Sequence, residues 1–192
     1  SSVLATLKDT IGPDIQGSLC NSAGIVNFPE HHYDWVRPGI ILYGSSPVVD
    51  KSAQELDLQP AMDFSAQIIA LQTVSANDTI GYGSRWRAQQ DTRTALVSVG
   101  YGDGYPRVVT DDAYVIVMDA NDSQSYRCPV IGRVAMDMIV IDISSAPESL
   151  AIDSKVMLWG DAPRVDEVAG HAGTISYELL CRLSIRPNRT QA

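Results

Sequence analysis

Arg37 is followed by Pro38 and Gly39 and then by the apolar run Ile40-Ile41-Leu42, so a permanent cation, a fixed-φ residue and a glycine stand immediately before a short hydrophobic segment. A guanidinium keeps its proton near neutral pH and offers a rigid fork of donors. Proline removes one backbone donor, and glycine lets the main chain come close to a ligand. The order fits a strand end that presents a fixed charge; it equally fits a surface arginine ahead of a core strand. Four further stretches place glycines, tyrosines or arginines where a plain β domain would not need them. They are Asn21-Ser22-Ala23-Gly24, Gly81-Tyr82-Gly83-Ser84, Gly100-Tyr101-Gly102-Asp103-Gly104-Tyr105-Pro106-Arg107 and Gly132-Arg133-Val134-Ala135-Met136-Asp137, with Tyr177 as a fifth candidate. Taken singly, each has a structural explanation: a hairpin with a packed ring, an ordinary Gly-Asp-Gly turn, a surface ion pair four residues apart. Their joint occurrence singles them out.

The elements that must position these residues change character along the chain. Val3, Leu4 and Leu7 fall on one helical face, closed by Gly12-Pro13. Ile15 to Cys20 is a short strand, and Asn21 or Ser22 can cap a helix after it. A second strand at Ile40–Leu42 completes a βαβ rhythm. Two such units neither close a barrel nor cover a parallel sheet, so this part reads as the tail of an α/β domain. From Ser45 to Pro60 the composition turns polar and loses periodicity, which places a linker there and a boundary near Gln59-Pro60. Short β-like runs follow at 66–74, 94–99, 113–118, 138–143 and 156–159, separated by turns such as Asn77-Asp78, Gly102-Asp103-Gly104 and Asn121-Asp122. They predict a mostly antiparallel β domain. Two helical pieces close the chain, one over 165–169 and one opened by Ser176.

Composition bounds the function. With 192 residues the chain holds one domain and part of another, and a net charge of −9 with a pI near 4.6 disfavours nucleic-acid and anionic-membrane surfaces. Cys20, Cys128 and Cys181 are scattered and odd in number, which supports neither a disulfide framework nor a zinc site and favours a reducing cytoplasm. His31 and His32 are adjacent and His171 is remote, without metal-ligand spacing or a nucleophile elbow. No stretch approaches the roughly 20 apolar residues of a membrane span. The start, Ser1-Ser2-Val3-Leu4, lacks a methionine and a basic flank, and points to a chain that begins inside a larger protein.

In their order and spacing the segments HHYDWVRPGIILYGSSP, VGYGDGYPR, IGRVAMDM and SYELLCRL resemble the pyridoxal-phosphate type of alanine racemase over nearly the whole chain. The resemblance implies a homodimer with active sites at the subunit interface, each subunit a (β/α)8 barrel followed by a β-rich C-terminal domain. On that pattern the fold class is α/β plus mainly β: residues 1–58 are the last strands and helices of the barrel, and residues 59–192 the β domain. The implied reaction interconverts L-alanine and D-alanine, supplying D-alanine for the bacterial cell wall.

Residue by residue, the resemblance implies that Arg37 donates to the pyridine nitrogen of pyridoxal phosphate and keeps it largely unprotonated. Ser22, Gly39, Ile40 and Tyr177 would hold the phosphate. Tyr82 would be one of two acid/base groups on opposite faces of the reacting carbon, the other being the family's cofactor lysine. Met136 would meet the substrate carboxylate through its amide, and Tyr101, Arg107, Arg133 and Ile175 would line the access corridor for a small amino-acid anion. The family lysine lies early in the barrel, whereas Lys8, Lys51 and Lys155 are the only lysines here and none has a matching context. The chain alone is therefore expected to be inactive and to need the missing N-terminal barrel half. Two alternatives stand beside this reading: a broader amino-acid (serine) racemase, set by pocket size, and a non-catalytic dimerisation or binding module.

Overall fold

The computed structural model describes residues 2–119 and 124–191, and the predicted turn at Asn121-Asp122 lies outside them. The chain divides into two compact units, one ending at Ala61 and the other beginning at Met62.

The first unit opens with helix α1 (Ser2–Ile11), which stops at Gly12, a residue with φ of 146° whose N–H donates to the Lys8 carbonyl at 3.1 Å. Strand β1 (Ser18–Asn21) leads directly into helix α2 (Ser22–Asn27). Asn21 caps that helix by accepting the Gly24 N–H at 3.0 Å, as the polar turn in the sequence suggests. Strand β2 (Trp35–Arg37) lies parallel to β1, with Ser18 opposite Trp35 and Asn21 opposite Arg37. The unit is thus a strand, helix, strand crossover, but its second strand is not the predicted one. Ile40–Tyr43 forms a 3-10 turn, with Ile40 buried and Leu42 63% exposed. Pro38 cannot donate to a ladder, so pairing stops at Arg37, and glycines bracket the apolar run. Gly44, with φ of 80°, returns its N–H to the Ile40 and Ile41 carbonyls; a Cβ there would sit 2.0 Å from the Gln59 carbonyl oxygen. The polar stretch after it is ordered. Ser46 donates to the Lys51 carbonyl at 2.6 Å, Ala53 is buried, and the Leu58 N–H reaches the Ala53 carbonyl at 2.9 Å.

The second unit is built on a closed antiparallel barrel of β3 (Phe64–Val74), β6 (Thr92–Val97), β7 (Tyr114–Met118), β8 (Ser125–Ile131), β9 (Ile139–Asp142) and β10 (Lys155–Trp159). Around the barrel the order is β10, β3, β6, β9, β8, β7, and β7 pairs back to β10. Alternation dictates the interior: Val115 and Val117 on β7, Ile139 and Ile141 on β9, and Val156 and Leu158 on β10 point inward and are buried. Trp159 stacks at a tilt on Phe64, ring centroids 4.6 Å apart, to fill one end. A hairpin of two-residue strands, β4 (Thr79–Ile80) and β5 (Trp86–Arg87), stands between β3 and β6 in sequence. Helices α3 (Val165–His171) and α4 (Ser176–Arg182) close the chain. Five of the six barrel strands coincide with predicted runs. β8 does not, because Pro129 in its middle reads as a breaker. Among the described residues no helix is long and apolar enough to cross a membrane.

Inside the barrel, burial and then the nearby Asp142 carboxylate push the Cys128 thiol up to about 12. Tyr114 is likewise pushed up to about 12, first by burial and then by its hydrogen bond to Glu167. Both groups are neutral in the fold at any ordinary pH and both would ionise earlier in an unfolded chain. Their contribution is therefore fully present below the ordinary thiol value and is lost as pH rises through the folded one. Denaturation midpoints measured from about pH 8 to about pH 11 should fall progressively, and Cys128→Ala should flatten part of the slope. A midpoint level across that range would contradict this account.

Candidate active site

In the first unit the candidate residues gather where the two parallel strands end. Asn21 and Arg37 are paired and terminate β1 and β2, so Ser22 and Gly39 leave the sheet from its carboxyl end, the side on which α/β sheets bind ligands. Arg37 is held along β1: its Nη1 donates to the Ser18 carbonyl at 2.8 Å and to Ser18 Oγ at 2.9 Å, and its Nη2 donates to the Leu19 carbonyl at 3.3 Å. Of the five guanidinium N–H groups, those on Nε and the second on Nη2 are left for another acceptor. The cation is thereby fixed in place rather than free to swing.

Ser22 is buried at the first position of α2, and its Oγ accepts the Gly39 N–H at 2.8 Å. That bond leaves the hydroxyl proton to donate. Ile40 opens a 3-10 turn, a position whose N–H has no partner within the turn. A Cβ on Gly39 would meet only Ser22 Oγ, at 3.7 Å, so the main chain on that side is bare. A hydroxyl, amides at a turn start and an open glycine form a small anion cradle, and an anchored arginine suits a ring nitrogen that accepts a hydrogen bond. These residues fit pyridoxal phosphate.

In the second unit the candidates fall on the β4–β5 hairpin, on two loops between barrel strands and at the start of α4. Tyr82 sits on the tip of the β4–β5 hairpin between Gly81 (φ 75°) and Gly83 (φ 73°), and it is 74% exposed. The hairpin reading of Gly-Tyr-Gly is thus right, but the ring is presented rather than packed. Arg133 lies beside that tip: a Cβ on Gly81 would be 3.1 Å from its backbone nitrogen, and one on Gly83 would be 3.9 Å from its guanidinium carbon.

Tyr101 and Met136 are brought together by two backbone bonds, from the Tyr101 N–H to the Ala135 carbonyl at 3.0 Å and from the Gly102 N–H to the Met136 carbonyl at 2.9 Å. The approach needs glycine, since a Cβ on Gly100 would lie 2.3 Å from both of those carbonyl oxygens. Arg107 places its guanidinium carbon 6.0 Å from the centre of the Tyr101 ring. Tyr105, in the same motif, is 2% exposed and belongs to the core. Ile175 and Tyr177 stand at the start of α4, both partly open to solvent. The other end of α4 is what backs onto the 100–107 loop: a Cβ on Gly104 would lie 2.8 Å from Leu183 Cα.

One residue escaped the sequence reading. Asp103 and Asp137 pair with neither Arg107 nor Arg133, their neighbours in sequence, but share Arg186, whose Nε lies 3.3 Å from Asp103 and whose Nη2 lies 2.6 Å from Asp137. The Asp137 hydrogen bond, and then the charge of Asp103, hold the Arg186 proton even more firmly than usual. No sequence signal could have found it, because Arg186 stands 49 positions from Asp137.

An α/β crossover with an anchored arginine at its strand ends, and a closed β barrel with tyrosines and arginines on its loops, define a two-unit chain of the barrel-plus-β-domain class. The family model described as alanine racemase, C-terminal domain, matches residues 61–191, and that of the N-terminal domain matches residues 2–47. The chain belongs to the alanine racemase family. The alanine racemase of Psychrobacter sp. (strain PRwf-1) is 54% identical over 190 residues, which is 97% of this chain and 50% of that one. The solved alanine racemase of Acinetobacter baumannii superposes with a TM-score of 0.84 at 49% identity, covering 95% of this chain and 49% of its own. The biosynthetic alanine racemase of Pseudomonas aeruginosa gives 0.82 at 43% identity, with 95% and 49% covered. The chain therefore spans about half the length of the relatives it matches.

Proposed function

We propose that this chain supplies part of the active site of a pyridoxal-phosphate-dependent racemase that interconverts L-alanine and D-alanine. The observation that carries the reading is the cradle at the ends of β1 and β2, formed by the Ser22 hydroxyl and the Gly39 main chain, together with the Arg37 guanidinium anchored farther back along β1 at Ser18 and Leu19. Family membership over nearly the whole chain supports the same reading.

When bound, pyridoxal phosphate supplies the electron-withdrawing ring that acidifies the Cα–H bond of an amino acid. Arg37 gives the ring nitrogen a hydrogen bond without giving up its proton, which tempers that withdrawal and favours return of a proton to Cα. Ser22, whose oxygen already accepts the Gly39 N–H, donates its hydroxyl proton to the phosphate; the bare Gly39 main chain lets the anion approach, the Ile40 amide donates to it, and Tyr177 adds a phenol. Tyr82 takes or delivers the Cα proton on one face; inversion requires a second group on the other face, the lysine of the family's N-terminal barrel half. Met136 receives the substrate carboxylate at its amide, and Tyr101, Arg107, Arg133 and Ile175 shape the approach of a small anion. The working form on this reading is a homodimer in the cytoplasm, complete with the lysine-bearing half, and this chain alone does not turn over.

Mixing the chain with a lysine-bearing N-terminal half of a family member and with pyridoxal phosphate should convert L-alanine to D-alanine, while the chain with cofactor alone should not. Absence of conversion in the mixture, with both polypeptides folded and associated, would overturn the reading.

A further inference from the structure

We infer that Arg186 is the positioning residue of the amino-acid access loops: it clamps the 100–107 loop to the 132–138 loop and so fixes the main chain that presents Tyr101 and Met136. What those loops do rests on the racemase reading; the clamp itself does not.

The guanidinium reaches two carboxylates on two different loops, Asp103 through Nε at 3.3 Å and Asp137 through Nη2 at 2.6 Å. Asp103 is itself immobilised, because its side chain is 13% exposed and its Oδ2 accepts the Gly100 N–H at 2.9 Å. Gly102 makes room for the clamp: a Cβ there would lie 2.2 Å from Arg186 Nη1. The segment carrying Arg186 is tied to the same loop by the Ser184 N–H, which donates to the Asp103 carbonyl at 3.2 Å, and is braced internally by the Arg186 N–H, which donates to Ser184 Oγ at 3.1 Å. A planar fork holds two acceptors at a fixed separation, which a lysine ammonium on a flexible stem does not. The atoms held are the immediate neighbours of the Tyr101-to-Ala135 and Gly102-to-Met136 bonds. Freeing Arg186 therefore loosens the Met136 main chain at the place where a carboxylate is to be received. Arg186 touches no substrate on this account and acts through the loops.

Amide hydrogen exchange of the chain carrying Arg186→Ala should show protection of the Tyr101 and Gly102 amides falling by about tenfold or more, while Val97 and Ile141 in the barrel change by less than about threefold. Unchanged protection at Tyr101 and Gly102 would overturn the clamp. Should Arg186→Ala lose protection everywhere, Asp137→Asn, at an exposed position, is held to the same criterion. In the mixture with the lysine-bearing half, Arg186→Ala and Arg186→Lys should each raise KM for alanine by about tenfold with kcat within about threefold. A fall in kcat at unchanged KM would refute the positioning role. If the unmodified mixture fails to racemise, the racemase reading falls and the exchange result alone decides the clamp.

Discussion

Tyr82→Phe, in a racemase assembled from this chain and a lysine-bearing half, is expected to slow alanine racemisation by about 100-fold to 10,000-fold in both directions while leaving cofactor affinity unchanged. Inversion at a carbon needs a proton removed from one face and returned to the other, and a single group that returns its own proton produces no inversion. The ring of Tyr82 is set out on a hairpin tip by two glycines in left-handed conformation, so phenylalanine keeps the backbone, the ring and its exposure. Only the hydroxyl is lost. Initial rates from L-alanine and from D-alanine, together with deuterium uptake from solvent at Cα, measure the effect. Rates equal to those of the parent in both directions would remove Tyr82 from the chemistry and shift attention to Tyr101.

Ile141→Ala should destabilise the second unit by about 2–5 kcal/mol, read as a lower urea midpoint at unchanged slope. Ile141 is fully buried on β9 and lies between Ala95 of β6 and Val130 of β8 in the ladder. A closed ring holds its walls in register, so neighbours cannot collapse into the space left by three missing carbons. The cavity cost therefore adds to the lost transfer free energy. A loss below about 1 kcal/mol would mean that the barrel interior relaxes far more than its hydrogen-bonded closure allows.

Much of this architecture was legible because period and punctuation agreed. The alternation of Val115 and Val117, or of Ile139 and Ile141, could only serve strands with one buried face, and Asn21 announced the helix that it caps. The run at 40–43 misled because four apolar residues carry no usable period, and the glycines on either side decide their conformation. β8 was hidden by Pro129, a residue that the ladder with β7 nevertheless accommodates opposite Tyr114. At the candidate site, Arg37 drew notice by its fixed charge ahead of proline and glycine, whereas flanking glycines mark Tyr82 and Tyr101 alike and only the family resemblance favoured Tyr82; the structure adds that Tyr82 is exposed and Tyr105 buried. Arg186 carried no local signal, since its two partners are distant in sequence and meet it only after the last helix has turned back.

Because β7 bonds back to β10, every strand of the barrel has a neighbour on each side, whereas β1 and β2 have only one another among the described residues. An unpaired strand flank is a template for uncontrolled self-association, and a ring has none to offer. Outside the short β4–β5 hairpin, whose strands are two residues each, the hazard of clumping during expression or refolding thus falls on the first unit, next to exposed Leu19 and Trp35. Additives or charged substitutions aimed at solubility belong there, and the barrel can be left untouched.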